Sequence, residues 1–582
     1  MRGSVYLMAF LLAGIVLHSC SSYKNNSSQV VIWELSDPQK LNPILATDIG
    51  SYDLDNNIFQ PLINFDYHTL KLVPILAESL PDVKIDSSSG HMLITYELRK
   101  EAKWDNGTPV TAKDAAFTIK VVKCPSVNDE SLRTYYDKVN DVILYPDDPR
   151  KFTIVYTEKY MLATIATGTD TYIMPEYAYD SSKYLENFTI KQLSTDSTLA
   201  HDAKIIAFGK EFNTEKYSHD PKYISGSGAY KLSSWVTGQQ VVLEKKANWW
   251  GDALKGNSCF FDANPSKLVY RTISDMTSAI VALKAGNIDV INYIKPGDFD
   301  ELRKSEKFAQ QFNMYNPLRL SYTFIGLNMS SPKFADIRTR QAIAHLLDVT
   351  RIVNDIFYGY AQPVTCPVSP MDSMDYDFSL KPHEFNIDTA KALLAAAGWK
   401  DHDGDGILDK VINGKKTDFT IDYLFNAGNE QRKKVGLIFK EEARKVGIEV
   451  NIMPQEFNVY ADKLKSHNFE MFMSVWGFQP GPMDFEQLFA TSQSRDGGSN
   501  FACFGNAESD ALIDSIRKEL DPVKRAAMTK RFGNIMHNDC GYIFLCAQQA
   551  TIAINKKYSN AYPSSNTPYY WEAGFDAGNG GK

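Results

Sequence analysis

Carboxylates are the residues of this chain whose spacing comes nearest to a chemical site. The run Asp401-His402-Asp403-Gly404-Asp405-Gly406-Ile407-Leu408-Asp409 alternates acids with glycine, so Asp401, Asp403, Asp405 and Asp409 could wrap oxygen ligands around a calcium ion. An EF-hand loop needs a bidentate glutamate at its last position, where Ile412 stands, so a solvated Asp/Gly turn is the competing reading. The pairs Asp401/Asp403 and Asp484/Glu486 could also supply the acid and base of a peptide or glycan hydrolase. Other signatures of catalysis are absent: there is no HExxH, no GxSxG elbow, and Gly414-Lys415-Lys416 lacks the Ser or Thr of a phosphate loop. Ten histidines occur singly, with no pair placed on one helix face to hold a transition metal. Seven cysteines contain no CxxC, which removes a zinc ribbon or a thioredoxin-like couple. The six beyond Cys20 could form disulfides or remain buried thiols.

Binding chemistry has better material. Trp476-Gly477-Phe478-Gln479-Pro480-Gly481-Pro482 sets an aromatic beside a Gly/Pro-rich loop, offering a rigid apolar wall and free backbone donors and acceptors, with core packing of Trp476 as the alternative. Gly226-Ser227-Gly228-Ala229-Tyr230 lacks the third glycine of a phosphate cradle and leads into an alternating segment, 230–243, so its glycines read as close backbone packing.

The elements that must position these residues follow an α/β pattern. Residues 30–33 read as a buried strand, followed by turns at Asp37-Pro38 and Asn42-Pro43, a polar loop through Gly50 and a helix ending near Phe59. Alternation over 93–104 and the turn Asp105-Asn106-Gly107 predict a hairpin. Thr111, with Asp114 three residues on, opens a capped amphipathic helix. Asp336 caps a helix that buries Ile343, Leu346 and Leu347 and leaves Arg338 and Arg340 in solvent; another begins at Asp388 and stops at Gly398. Segments 419–424, 430–446 and 448–453 form strand, helix and strand, a βαβ unit that needs a parallel sheet, with ligands beyond the carboxyl ends of its strands.

A chain of 582 residues exceeds one compact core, so two or three packed units are expected. A net charge of −8 without a cluster of Lys and Arg argues against nucleic acid as a partner. Beyond residue 20 no apolar run is long enough to span a bilayer. The start differs: Arg2, an apolar stretch over 5–17 and Leu17-His18-Ser19-Cys20 resemble a lipoprotein signal, which implies a signal peptide over 1–19, lipid on Cys20 and a polar tether over 20–29.

Taken together, the segments resemble the family 5 extracellular solute-binding proteins, the dipeptide-, oligopeptide- and nickel-binding components of ATP-driven importers. The resemblance spans nearly the whole mature chain. It is carried by Asp37-Pro38-Gln39-Lys40-Leu41-Asn42-Pro43, by Ile58-Phe59-Gln60-Pro61-Leu62, and above all by Trp104-Asp105-Asn106-Gly107-Thr108-Pro109-Val110-Thr111-Ala112-Lys113-Asp114. Asn248-Trp249-Trp250-Gly251, Leu283-Lys284-Ala285-Gly286-Asn287-Ile288-Asp289-Val290 and Asp336-Ile337-Arg338-Thr339-Arg340-Gln341-Ala342-Ile343 agree with it in order and spacing.

The resemblance implies a two-lobed periplasmic-binding-protein fold, type II and cluster C-like, with an additional domain on the first lobe. The implied division is lobe 1 over 30–67, 222–317 and 545–582, the extra domain over 68–221, and lobe 2 over 318–544. Closure would run on strands near 322–328 and 544–554. The implied function is capture of a short peptide or peptide-like solute for an ABC permease and its ATPase, by a monomer without a cofactor beyond a structural calcium. Its place would be the cell envelope, facing the periplasm or otherwise extracytoplasmic, with the lipid anchor as the only membrane contact. A non-peptide solute, either a metal chelate or an oligosaccharide, is the alternative. Peptide-binding relatives place an Asp three residues after the tryptophan of the Trp476 loop to pair with the ligand's ammonium; Gln479 stands there, and a neutral amide lacks that Coulombic attraction. Asp484 is the nearby candidate to supply the charge. Thr47, Asp48, Gly50 and Asn500 are the further pocket-edge candidates.

Overall fold

The structure, a computed structural model, describes residues 29–129 and 132–578. The signal segment, Cys20 and all of the tether except Gln29 lie outside these residues. Gln29–Glu34 is buried on both faces, and its side chains divide by the two-residue period of a strand: Val30 and Ile32 enter one core, Val31 and Trp33 another. Such a strand belongs inside a sheet covered on both sides. It runs parallel to Lys267–Thr272 and Val290–Ile291, in the order Phe312–Tyr315, Ile552–Asn555, Val290–Ile291, Gln29–Glu34, Lys267–Thr272, Gln240–Lys245, Tyr230–Val236.

A second sheet orders Ala361–Pro363, Tyr542–Gln548, Ser321–Leu327, Met471–Gly477, Thr420–Asn426 and Glu449–Gln455. Ser321–Leu327 shows the same division, with Ile325 and Leu327 in one core and Tyr322 and Phe324 in the other. Thr420–Asn426 is parallel to both Glu449–Gln455 and Met471–Gly477, and the helix Glu430–Arg444 makes the connection the βαβ pattern requires. A third sheet, antiparallel, joins Asp82–Ile85, Met92–Glu97, Asp148–Tyr156 and Val139–Tyr145; its core is continuous with that of the first lobe.

The expected helix near Phe59 is Ile49–Ile58, with Asp48 at its N-cap and Phe59 at its C-cap. The Gly226-Ser227-Gly228 turn packs against its end: a methyl on Gly226 would stand 2.2 Å from the Ile58 carbonyl oxygen and one on Gly228 2.4 Å from that of Asn57. Ala112–Lys123 carries the capping box, in which the Thr111 backbone N–H and hydroxyl both donate to Asp114.

Several expectations are corrected. The strand Met92–Glu97 pairs with Asp82–Ile85 and Asp148–Tyr156, so Asn106-Gly107 closes only a short turn, bridged at Lys103 and Pro109. The helix expected at Asp388 is Ile387–Ala396, capped by Asn386. Arg340 is buried rather than solvated, its guanidinium donating to the Phe334, Ala335 and Asp539 carbonyls and pairing with the Asp539 carboxylate at 2.7 Å. That geometry directs the planar fork of donors to one carboxylate and three carbonyls, which is what lets the cation be buried.

The chain passes between the two large sheets over residues 316–320 and 549–551. Ser321–Leu327 and Tyr542–Gln548 lie wholly in the second sheet, so the boundary drawn at 544/545 cuts a strand, and the first crossover precedes 322–328. The 67/68 boundary likewise falls within the hairpin of Ile63–Phe65 and Leu72–Pro74. All six described cysteines are free thiols. Among the described residues no helix is long and apolar enough to cross a membrane.

Candidate functional site

In sheets of this kind the carboxyl ends of parallel strands present loops and unpaired backbone to a ligand. The parallel ends of the first sheet deliver Glu34 and, two residues past Val290–Ile291, Tyr293. Those of the second deliver Gly428 and Asn429 after Thr420–Asn426 and Gln479 after Met471–Gly477. A cavity of about 510 Å³ lies among Tyr293, Gly428 and Asn429, lined by Tyr293 to Asp298 from one lobe, Tyr358 and Gly428 to Gln431 from the other, and Arg319 and Gln548 to Thr551 at the crossovers; Glu34 and Gln479 lie outside its lining.

Arg319 is the cation at the crossover, with Lys295 and Lys434 also in the lining. Its Nε–H donates to the Tyr569 hydroxyl at 2.9 Å, and its guanidinium carbon lies 5.4 Å and 5.8 Å from the Tyr293 and Tyr569 ring centroids. The rings meet edge to face at 5.5 Å. Tyr293 holds a φ of 55°, a left-handed conformation a bulky residue adopts only when its surroundings compel it. Among the described residues no carboxylate pairs with Arg319, so its positive charge rests on ring faces and one phenol. No motif marked Arg319; its role comes from a crossover and from two tyrosines distant in sequence.

At the end of Gln29–Glu34 the character reverses. The carboxylates of Glu34, Asp48, Asp53 and Glu572 gather around the N-terminal half of Ile49–Ile58. Burial first, then Glu572 and Asp48, push the Glu34 carboxyl up to about 8. Burial, with Glu34, Glu572 and Asp48 beside it, likewise raises Asp53. Glu572 Oε1 accepts from Tyr270 at 2.6 Å and from Asn57 Nδ2 at 2.9 Å, while its Oε2 is buried without a partner.

The lobes meet on the other side of the cleft through the extra domain. Gln479 Nε2 donates to Asp170 Oδ1 at 2.9 Å, the Tyr160 hydroxyl donates to Asp484 Oδ2 at 2.9 Å, and the Met161 N–H donates to the Arg517 carbonyl at 2.8 Å. Arg517 closes the set on Asp484 at 2.9 Å and Glu486 at 2.6 Å. Gly481, at φ 102°, lets the loop pass the Phe65 ring, which a methyl there would approach to 3.2 Å.

The sequence-derived candidates therefore separate. Trp476 is partly buried against the aromatic core of the second lobe, and Gln479 is a lobe-to-lobe contact. Asp484 has no free oxygen, since Oδ1 accepts the Glu486 N–H and Oδ2 serves Tyr160 and Arg517. Asp48 is occupied as a cap by the Ser51 N–H and hydroxyl and by the Gln39 N–H. Gly50 adjoins both Asp48 and Glu34, and Thr47 is exposed. Asn500 is wholly buried, donating to the Ala490 and Phe504 carbonyls and accepting from the Phe504 N–H and the Tyr542 hydroxyl, so it shapes the second lobe and has nothing left for a solute.

The acidic loop brings Asp401, Asp403 and Asp405 within 4.8 Å of one another, all exposed. Asp409 is buried apart from them and takes the His402 N–H at 3.0 Å and Nδ1 at 2.7 Å. Asp401 accepts the Gly404 and Gly406 N–H groups, and the Lys416 ammonium sits on Asp403, 3.4 Å from Asp418. The four acids do not converge, and a lysine already supplies positive charge.

Comparison with known proteins agrees with this architecture. The oligopeptide-binding protein AppA of Bacillus subtilis is 26% identical over 558 residues, covering 93% of this chain and 92% of its own. Its solved structure with a nonapeptide has a TM-score of 0.67 at 24% identity, covering 93% and 98% of the two chains. HbpA2 of Haemophilus parasuis superposes with a TM-score of 0.73 at 19% identity, over 94% of this chain and 99% of that one. A family model described as "Bacterial extracellular solute-binding proteins, family 5 Middle" matches residues 71–497. Two α/β lobes joined by crossover strands, a cleft at the carboxyl ends of both sheets and that match across most of its length make this chain a member of family 5 of the bacterial extracellular solute-binding proteins.

Proposed function

We propose that the protein is the substrate-binding component of an ABC importer, enclosing a short peptide or peptide-like solute between its lobes and handing it unchanged to a membrane permease driven by its ATPase. It acts as a monomer, without covalent chemistry and without a cofactor. Lipid on Cys20 holds it to the cell envelope, facing the periplasm or otherwise outside the cytoplasm. The supporting observation is Arg319, a cation with no acidic partner among the described residues, at the floor of a cleft of about 510 Å³ shared by both lobes. A guanidinium so placed presents donors to a carboxylate or a row of carbonyls, which a peptide has and a neutral sugar lacks. The peptide bound in the AppA structure supports the same class of solute. Asp401, Asp403 and Asp405 form a solvated turn neutralised in part by Lys416 in this proposal.

Native mass spectrometry of the gently purified protein, followed by release of its cargo, tests the proposal. Short peptides recovered intact are expected. A metal chelate or an oligosaccharide would change the solute class, and progressive shortening of added peptide would replace the binding protein with a hydrolase.

A further inference from the structure

The carboxylates at the end of Gln29–Glu34 are not needed for the fold in the form they take. Asp53 is 8% exposed, and no side-chain hydrogen bond or ion pair reaches its carboxylate among the described residues. Glu572 is 1% exposed, with Oε2 unpartnered. The Glu34 carboxylate is partly buried and among the described residues receives neither a hydrogen bond nor a cation, and a methyl built on Gly50 would lie 3.9 Å from its Oε2 and 3.4 Å from Asp48 Oδ1. Packing acids together in this way costs free energy that a retained proton or a bound cation must offset, and among the described residues no lysine or arginine pairs with Glu34 or Asp53. Other acids differ in how they are served: Asp48 caps a helix and Asp289 faces Lys557, while Asp55, on the opposite side of the same helix and fully buried, has both oxygens unpartnered and is held neutral by burial.

Position singles out a solute as the missing cation. Glu34 ends the central strand of three parallel strands, where ligands enter such sheets, and the neighbouring parallel strand leads to Tyr293 in the cavity wall. Tyr293 is close enough to Asp53 for that carboxylate to help burial and Tyr569 raise its phenol, while its ring also faces Arg319. Tyr293 thus stands between Arg319 in the cavity lining and the acids beyond it, which do not themselves line that cavity.

We propose that Glu34, Asp53 and Glu572 form the subsite that takes a cationic group of the solute, an ammonium or guanidinium, and so supply from the first lobe the negative charge that Gln479 does not supply from the second. It rests on the cleft being the solute site. Contact would be made by Glu34 and Asp53, with Glu572 behind them, fixed by Tyr270 and Asn57. The solute would lie with its positive end toward Ile49–Ile58 and its negative end toward Arg319.

The test uses the full mature chain, in wild type and as Glu34→Gln/Asp53→Asn. These amide replacements keep shape and remove the cost of holding ionisable acids out of water, so the ligand-free variant is expected to melt at or above the wild-type temperature. Each protein is offered a pool of tri- to pentapeptides and the same pool with every amine acetylated, and bound peptides are counted by mass spectrometry. Wild type should favour the free-amine pool about tenfold or more, the scale of a charge-assisted contact, and the variant should take both pools alike. An unchanged preference in the variant overturns the subsite. Thermal shift with agmatine, a dication without a carboxylate, against sodium chloride at equal ionic strength separates the two proposals. Protection of wild type alone sustains the cation subsite even if neither peptide pool binds, a result that would remove the peptide reading. Equal agmatine response in both proteins, or none in either, overturns the subsite.

Discussion

Gln479 shows how one side chain can exchange one role for another. Its amide donates to Asp170 across the two lobes, a task a carboxylate cannot perform. Burial raises the Asp170 carboxyl, and the hydrogen bonds from Gln479 and Thr169 work against that rise. Installing the acid that relatives carry should thus set two carboxylates together and weaken closure, rather than restore a peptide anchor. Ligand-free Gln479→Asp is expected to show a larger radius of gyration by small-angle X-ray scattering, and Gln479→Asp/Asp170→Asn to return to the wild-type value. If Gln479→Asp scatters as wild type does, Gln479 contributes nothing to holding the lobes together. Asp484 carries the same lesson, since an acid near a binding loop is free for a ligand only if its neighbours leave it so, and Tyr160 and Arg517 do not.

The helix Ile49–Ile58 is the element on which the acidic side of the cleft depends, because it carries Asp53 and Asn57 and its N-cap is Asp48. The turn through Gly226 and Gly228 clamps its far end, with the Gly228 N–H donating to the Ile58 carbonyl at 2.9 Å. A methyl on Gly228 would meet helix backbone, which cannot rotate aside, so Gly228→Ala is expected to cost about 2–3 kcal/mol in urea unfolding, the range of overpacked sites. Gly107→Ala is the contrast: with nothing within 4 Å and a φ of 82°, it meets only backbone strain, about 1 kcal/mol. Equal costs for the two would mean that the contact between turn and helix is loose.

At the scale of the molecule, the acidic cluster makes stability depend on pH with a definite sign. Glu34 titrates near 8 in the folded protein and near 4.5 as a free glutamate, so over that window the folded state holds a proton that the unfolded chain has released. Stability is full below the window and falls as pH rises through it, and Asp53 and Glu572, both raised by burial, act in the same direction. The histidines act oppositely: burial and His537 lower His383 to about 4, and burial lowers His537, so their contribution is present above 6.5 and lost as pH falls. Between pH 6.5 and 8 the raised acids lead, opposed toward the upper end by Lys123, which burial lowers to about 8. The melting temperature of the ligand-free protein should fall across that interval, and Glu34→Gln should flatten the slope. A slope unchanged by Glu34→Gln would place the titrating group elsewhere.

Much of this architecture was legible in order along the chain. Local rules sufficed where a few adjacent residues settle the outcome: the capping box of Thr111 and Asp114, the buried strand through residues 30–33, the βαβ unit from 419 onward, and the crowding at Gly226 and Gly228. Together with the family's motifs they determined two α/β lobes and a cleft at the carboxyl ends of the sheets. Tertiary structure decided which polar groups were left over. Arg340 reads as a solvated helix residue until Asp539, nearly two hundred positions away, buries and pairs it. Asn500 reads as a pocket edge until four hydrogen bonds consume it. Glu34, Asp53, Glu572 and Arg319 carry no local signal, because an unpaired charge is defined by what fails to lie beside it, and that is fixed only when strands distant in sequence are packed into one sheet.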